Sequence, residues 1–117
     1  MGKRITITFK ASGEGTLEAH GFDTFRCLGK PGFPYKREVT VTSNDKFENR
    51  WSTQYGVNMP WAILIHWQRG AFIHEMPATL SSNGGPTAGC IHLDRGDAER
   101  LWNWVNRATV VEVSRPW

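Results

Sequence analysis

A cysteine at the end of a glycine-rich loop, with a histidine upstream of it, is the pattern in this sequence best suited to chemistry. The loop is the stretch "GGPTAGC", residues 84–90, and His74 ends the apolar run "AFIH" before it. A thiol is a useful nucleophile when a base accepts its proton and backbone N–H groups stabilise the developing oxyanion. The small residues Ala88 and Gly89 let a substrate carbonyl approach the backbone there. We therefore predict Cys90 as nucleophile and His74 as general base.

The elements that must position these residues are mostly strands. Alternation of apolar and polar residues predicts strands at Arg4–Phe9, Thr16–His20, Asp23–Leu28 and Lys36–Ser43. The stretch "WAILIHWQRGAFIHEM" predicts strand, turn and strand, with Gly70 in the turn and His74 near the end of the second strand. Residues 44–60 show no sustained period, so we expect them to be irregular.

One helix is expected after the cysteine loop. Asp94 has the residue type of an N-cap, and an apolar stripe follows it at helical spacing, formed by Ala98, Leu101, Trp102 and Val105. Thr109–Val113, "TVVEV", predicts a last strand. The sequence thus predicts a mainly β, sandwich- or barrel-like domain over residues 1–117 with one helix near its C-terminal end.

The segment from "MPWAILIH" to the C-terminus resembles the L,D-transpeptidase catalytic domain of bacterial cell-wall enzymes. That family's motif is a histidine, a spacer of about fifteen residues, Ser/Thr-His-Gly-Cys, a hydrophobic residue and Asn or Arg. The chain has "AFIHEMP", a glycine-rich spacer and "TAGCIHL". The resemblance implies His74 as base and Cys90 as nucleophile, with Thr87, Gly89 and Ile91 at the matching motif positions.

Two positions depart from the motif. Ala88 stands where the family has a histidine, and His92 stands where it has Asn or Arg. We expect Thr87, Ala88 and His92 to contact substrate, with His92 supplying a replacement hydrogen bond or charge. The resemblance also implies that a backbone carbonyl orients the base, and we assign this to the main chain of Glu75. Trp61 is interpreted as a wall of the substrate groove, with core packing as the alternative.

The resemblance implies acyl transfer through a thioester on peptidoglycan tetrapeptide stems, without metal or organic cofactor. Cross-linking, exchange with a free D-amino acid and carboxypeptidase hydrolysis all remain open outcomes. Three other readings also remain: a non-catalytic peptidoglycan-binding domain of the same fold, a Cys–His peptidase or amidase, and a zinc site. The zinc site would use Cys90, His92, His74 and His66, whose side chains are of suitable ligand types.

Composition and charge narrow the classes of partner. A chain of 117 residues with 39% hydrophobic residues and a net charge of +3 is typical of a folded domain. It has no run of five Lys/Arg and no apolar run of membrane-span length, so we expect neither nucleic-acid binding nor membrane insertion. The N-terminus has no hydrophobic signal core. The resemblance implies action in the periplasm or cell wall. Because of the missing signal core, we expect the protein to arrive there either through a leader outside this sequence or as an effector with a delivery apparatus and an immunity partner.

Overall fold

The structure, a computed structural model, describes residues 2–52, 56–76 and 89–117. Over this part of the chain the strands form one nine-stranded sheet, accompanied by one α-helix. No helix in these ranges is long and apolar enough to span a bilayer. The elements in chain order are β1 (Lys3–Phe9), β2 (Glu14–Ala19), β3 (Asp23–Leu28), β4 (Glu38–Val41), β5 (Lys46–Ser52), β6 (Val57–His66), β7 (Ala71–Glu75), β8 (Ile91–Leu93), α1 (Asp97–Trp104) and β9 (Thr109–Ser114).

The strand order across the sheet is β4-β9-β1-β2-β3-β8-β7-β6-β5. Two neighbouring pairs are parallel, β1 with β9 and β7 with β8, and the other pairs are antiparallel. The β7–β8 pair brings together segments that lie on either side of the glycine-rich stretch. Its register sets Ile73 opposite Ile91 and His74 opposite His92.

The main core lies on one face of the curled sheet, and α1 packs over part of that face. Alternate residues of each strand point into this core, as a period of two requires. From β7 and β8 it receives Ile73, Ile91 and Leu93, and from α1 it receives Ala98 and Leu101, all at most 1% exposed. The intervening residues of β7 and β8 therefore face away from this core, on what we call the outer face.

The mainly β architecture with one helix is confirmed, and most predicted strands are present within two or three residues of their expected ends. The prediction that residues 44–60 are irregular is wrong. This segment contains β5 and the first residues of β6. Because β5 is an edge strand with mostly exposed side chains, its sequence lacks the alternation that marks a half-buried strand.

The predicted helix cap is also wrong. Helix α1 begins at Asp97, and its N-cap is Gly96, which adopts a φ of 89° and makes no side-chain capping bond. The carboxylate of Asp94 instead pairs with Arg26 of the neighbouring strand. The apolar stripe is present, although Trp102 is only half-buried at the edge of the core.

Candidate active site

The predicted base lies on the outer face of β7, and the predicted nucleophile directly precedes the neighbouring parallel strand β8. His74 is in β7 directly opposite His92 in β8, and Cys90 precedes His92 by two residues, so alternation sets all three on one face. Burial supports this arrangement, because Cys90 packs against a small outer-face cluster that includes Phe72, the residue two before His74. The sheet register therefore sets Cys90, His74 and His92 on one face of neighbouring segments.

The His74 ring is held by the backbone of the next residue. Its Nδ1 lies 2.6 Å from the Glu75 carbonyl oxygen, which can only accept, so Nδ1 carries the proton and donates it. The tautomer leaves Nε2 unprotonated and able to accept a proton. His74 is 2% exposed, and this burial lowers its pKa to about 4 against a smaller opposing effect of the Glu75 bond.

The Glu75 carboxylate does not take part in this contact. Its Oε1 accepts a hydrogen bond from the Gly96 N–H at 3.3 Å, just before the first turn of α1. The main chain of Glu75 is thus the part of the residue that contacts the base, whereas its side chain ties β7 to the start of the helix.

The Cys90 thiol is partly buried among apolar side chains. The surrounding cluster consists of Met59, Ala62 and Phe72, with Phe47 and Leu64 at its edge. Burial raises the pKa of the Cys90 thiol, and the backbone N–H of Phe72 acts in the opposite direction. Cys90 and the buried core residue Cys27 are not joined in a disulfide.

His92 is a buried neutral histidine beside the base. The rings of His92 and His74 meet at 63° with their centroids 4.8 Å apart. Burial and the neighbouring His74 lower the pKa of His92 to about 4. Its Nδ1 is fully buried and has no hydrogen-bond partner among the described residues. A buried polar atom of this kind is costly unless a ligand or water satisfies it.

Gly89 has a backbone conformation that another residue would adopt only with strain. Its φ is 141°, and an ideal Cβ there would lie 2.8 Å from Cδ2 of Phe33. The Phe33 ring therefore rests against the backbone immediately before the nucleophile. The carbonyl of Phe33 accepts a 2.7 Å hydrogen bond from the Trp117 indole, so the C-terminal residues hold this support in place.

Three predicted substrate contacts remain to be placed. Thr87 and Ala88 lie outside the described residues. Trp61 does not join the site, because its ring packs on the helix side of the sheet, edge to face with Trp102 at 5.3 Å. The groove-wall interpretation of Trp61 is therefore corrected. The physical reason is that Trp61 alternates with Ile63 and Ile65, which point into the main core.

The zinc alternative finds no matching geometry here. Within the part of the chain that the structure describes, no group of three or more His, Cys, Asp or Glu side chains is arranged to hold a metal ion. His66, the fourth ligand of that alternative, faces the ring of Phe33 at 6.2 Å between centroids.

Sequence reasoning missed a cleft of about 590 Å³ on the outer face. It extends from His92 across the neighbouring strands β3, β2 and β1, and its lining includes Arg26, Asp94 and Thr16. Arg26 and Asp94 form a two-point pair, with Nε–Oδ2 at 2.5 Å and Nη2–Oδ1 at 2.9 Å. The signal in the sequence was the set of polar residues at outward positions of β2 and β3, such as Thr16 and Arg26.

The comparisons with known proteins agree with this architecture. The family model of the L,D-transpeptidase catalytic domain (YkuD) matches residues 22–113. Among solved structures, an L,D-transpeptidase from Stackebrandtia nassauensis superposes with a TM-score of 0.74 at 19% identity, covering 99% of this chain and 58% of that one. L,D-transpeptidase 1 of Mycobacterium tuberculosis gives 0.65 at 19% identity, with 97% and 62% covered. An L,D-transpeptidase from Mycobacterium smegmatis gives 0.67 at 20%, with 97% and 60% covered.

At these identities the likeness to the solved structures is one of fold, and the chain spans about three fifths of their length. A comparison with curated proteins gives no match. The family model, by contrast, covers more than half of the sequence and includes both the histidine strand and the cysteine. On that match, the chain belongs to the L,D-transpeptidase catalytic domain family.

Proposed function

We propose that this domain is a cysteine-dependent L,D-transpeptidase acting on the tetrapeptide stems of peptidoglycan, with Cys90 as nucleophile and His74 as base. One observation carries the proposal: Cys90 directly precedes β8 on the same face as His74 of the parallel neighbour β7, and the Glu75 carbonyl fixes the His74 tautomer. This placement supports the roles of nucleophile, base and orienter that covalent catalysis requires.

In the first half-reaction the Cys90 Sγ proton passes to Nε2 of His74 as sulfur attacks the carbonyl carbon of the third stem residue. The Sγ–C bond forms, and the backbone N–H groups of Gly89 and Cys90 stabilise the oxyanion. The C–N bond to the terminal D-alanine then breaks. Its nitrogen takes the proton from His74, and a thioester remains on Cys90.

In the second half-reaction an acceptor attacks the thioester and gives its proton to His74. The C–S bond breaks, and the proton returns to the departing sulfur. An amine of another stem gives a cross-link, a free D-amino acid gives exchange and water gives a shortened stem. The substrate lies in the cell wall, so we propose the periplasm or cell wall as the site of action.

The low pKa of His74 and the raised pKa of Cys90 favour a resting state of neutral imidazole and neutral thiol. Proton transfer then accompanies attack, instead of preceding it as a stored thiolate–imidazolium pair. Neutral His92 supports the same state, because it adds no positive charge to the face that carries Cys90.

Intact-protein mass spectrometry with purified disaccharide-tetrapeptide tests the proposal. We expect a covalent adduct whose mass is that of the stem minus D-alanine, and free D-alanine in solution. Peptide mapping should place the adduct on Cys90, while Cys27, 7% exposed in the core, serves as the unmodified internal reference. Cys90→Ala should abolish both products.

The base is tested by His74→Gln, for which we expect a loss of about 10²- to 10⁴-fold in the acylation rate. His20→Gln is the matched control, because His20 is an exposed histidine that is hydrogen-bonded to Thr6 of β1. If the native protein binds the muropeptide but forms no adduct and releases no D-alanine, the domain is a non-catalytic binding module. An adduct on the protein that forms only with a different amide substrate would favour a Cys–His amidase.

A further inference from the structure

The outer face carries an ordered row of polar residues next to the proposed catalytic residues. The strand registers pair Thr8 with Thr16 and Thr16 with Arg26, and Arg26 in turn bonds Asp94. Along β8 and just beyond it, Cys90, His92 and Asp94 follow one another at two-residue intervals on this face. The cleft therefore runs from His92 to the Arg26–Asp94 pair, and Cys90 lies two residues before His92 on the same face.

The charges in this cleft are balanced. Among the described residues that line it, Lys10 and Arg26 are cationic and Glu14 and Asp94 are anionic. A purely anionic or purely cationic ligand would meet one unfavourable partner for each favourable one. A group with an ammonium and a carboxylate on the same carbon would satisfy both members of the Arg26–Asp94 pair.

We propose that the Arg26–Asp94 pair recognises the far end of the donor stem's third residue when that residue is a diamino acid ending in a second α-amino acid group. Arg26 binds the terminal carboxylate and Asp94 the terminal ammonium. This inference rests on the proposed function, and it assigns substrate specificity to two residues outside the motif. Ligand binding replaces the internal pair by two intermolecular ones.

The dimensions of the cleft suit this assignment. Cys90 and Asp94 are four residues apart along one face, about 13 Å between Cα atoms at strand spacing. A diamino acid side chain reaches about 9 Å from its acylated carbonyl to its terminal charged groups. The Cys90 and Asp94 side chains and the new C–S bond span the remainder. The methylene chain would then lie over His92, which lines the same cleft.

Equilibrium binding to the non-reacting Cys90→Ala protein tests the proposal independently of catalysis. The probes are tetrapeptide stems with meso-diaminopimelate, with its side-chain-amidated form, or with L-lysine at position three. We expect the diaminopimelate stem to bind about ten- to a hundredfold more tightly than the other two, because those two lack the full set of charge-assisted hydrogen bonds to Arg26 and Asp94. Arg26→Gln should abolish that preference and leave lysine-stem affinity unchanged.

Two further variants separate recognition from a structural role of the pair. Arg26→Asp combined with Asp94→Arg restores an ion pair but exchanges the positions of the charges, so the preference should stay lost. Arg4→Gln removes the exposed Arg4–Glu112 pair on β1 and β9 and should change nothing.

Equal or undetectable binding of the three stems to Cys90→Ala would overturn the proposal, as would recovery of the preference in the exchanged variant. Failure of the native protein to form the thioester while the preference persists would contradict the proposed function alone.

Discussion

The imidazole rings of His74 and His92 stand edge to face on neighbouring parallel strands, with their centroids 4.8 Å apart and both rings at most 5% exposed. Two histidines this close and this buried cannot both become protonated without a large electrostatic cost. Burial is the larger cause of the lowered pKa at each, and their proximity adds to it at His92.

The first prediction concerns stability against pH. Both folded-state pKa values are about 4, below the ordinary value of 6.5, so the folded state binds fewer protons than the unfolded state between these limits. Stability is complete above pH 6.5 and falls as pH drops toward 4, by roughly 3 kcal/mol for each histidine. Urea unfolding at pH 7.5 and 4.5 measures this. His92→Gln should lose less stability over the interval, and identical losses in both proteins would contradict the assignment.

The second prediction concerns the part that His92 takes in turnover. Because its lowered pKa keeps it neutral at pH 7, it offers a hydrogen bond and not a charge. His92→Asn, the residue type of the family motif, should keep kcat/KM within about threefold, whereas His92→Leu should lose about tenfold through the missing hydrogen bond. Steady-state release of D-alanine measures both. Native activity in His92→Leu would exclude a polar role.

The third prediction separates two reasons for glycine at position 89. Gly89→Ala should lower kcat at least tenfold, because a φ of 141° strains an alanine and its Cβ meets the Phe33 ring. Adding Phe33→Ala relieves the clash but not the strain, so the double variant should recover only part of the activity.

Gly32→Ala is the matched control for this series. Its φ is 85°, yet an added Cβ would meet nothing within 4 Å. We expect a modest fall in unfolding free energy and unchanged kcat. Full activity in Gly89→Ala would show that the loop adapts to a side chain at this position.

The fourth prediction concerns the reactivity of the Cys90 thiol. Burial raises the pKa of Cys90, so its alkylation by iodoacetamide should accelerate steadily with pH and still be rising at pH 9. Cys27, whose pKa burial raises to about 12, should stay unlabelled in the folded protein. A rate that is already constant below pH 7 would instead reveal a preformed thiolate.

Local pattern was sufficient for the strands that bury one face. β1, β3 and β9 alternate in sequence and occupy nearly their predicted spans. Edge strand β5 could not be predicted from alternation, because most of its side chains are exposed and polar residues can therefore occupy both of its faces. The helix start was misplaced because an Asp can either cap a helix or form an ion pair. Asp94 pairs with Arg26, which is distant in sequence and could not be recognised as its partner from the local pattern.

For the site, the motif identified the candidate residues but did not predict which strands and side chains surround them. The parallel pairing of β7 with β8 depends on long-range topology, as does the Phe33 ring over Gly89. Trp61 was misassigned for a related reason: proximity to the motif in sequence does not determine the face of a strand. The cleft beside His92 is built from four strands, three of them from the N-terminal segment that carried little of the resemblance.

The alternation of core and active-site residues along β8 couples the correct strand register of the site to the packing of the core. The core residues Ile91 and Leu93 of β8 alternate with His92 and with Cys90, the residue just before the strand. A slip of β8 by one residue would turn the thiol and imidazole into the apolar interior and expose two large aliphatic side chains. Such a chain would lose core stability together with activity. Chains with a misaligned active site are therefore also less stably folded, because they bury less apolar surface.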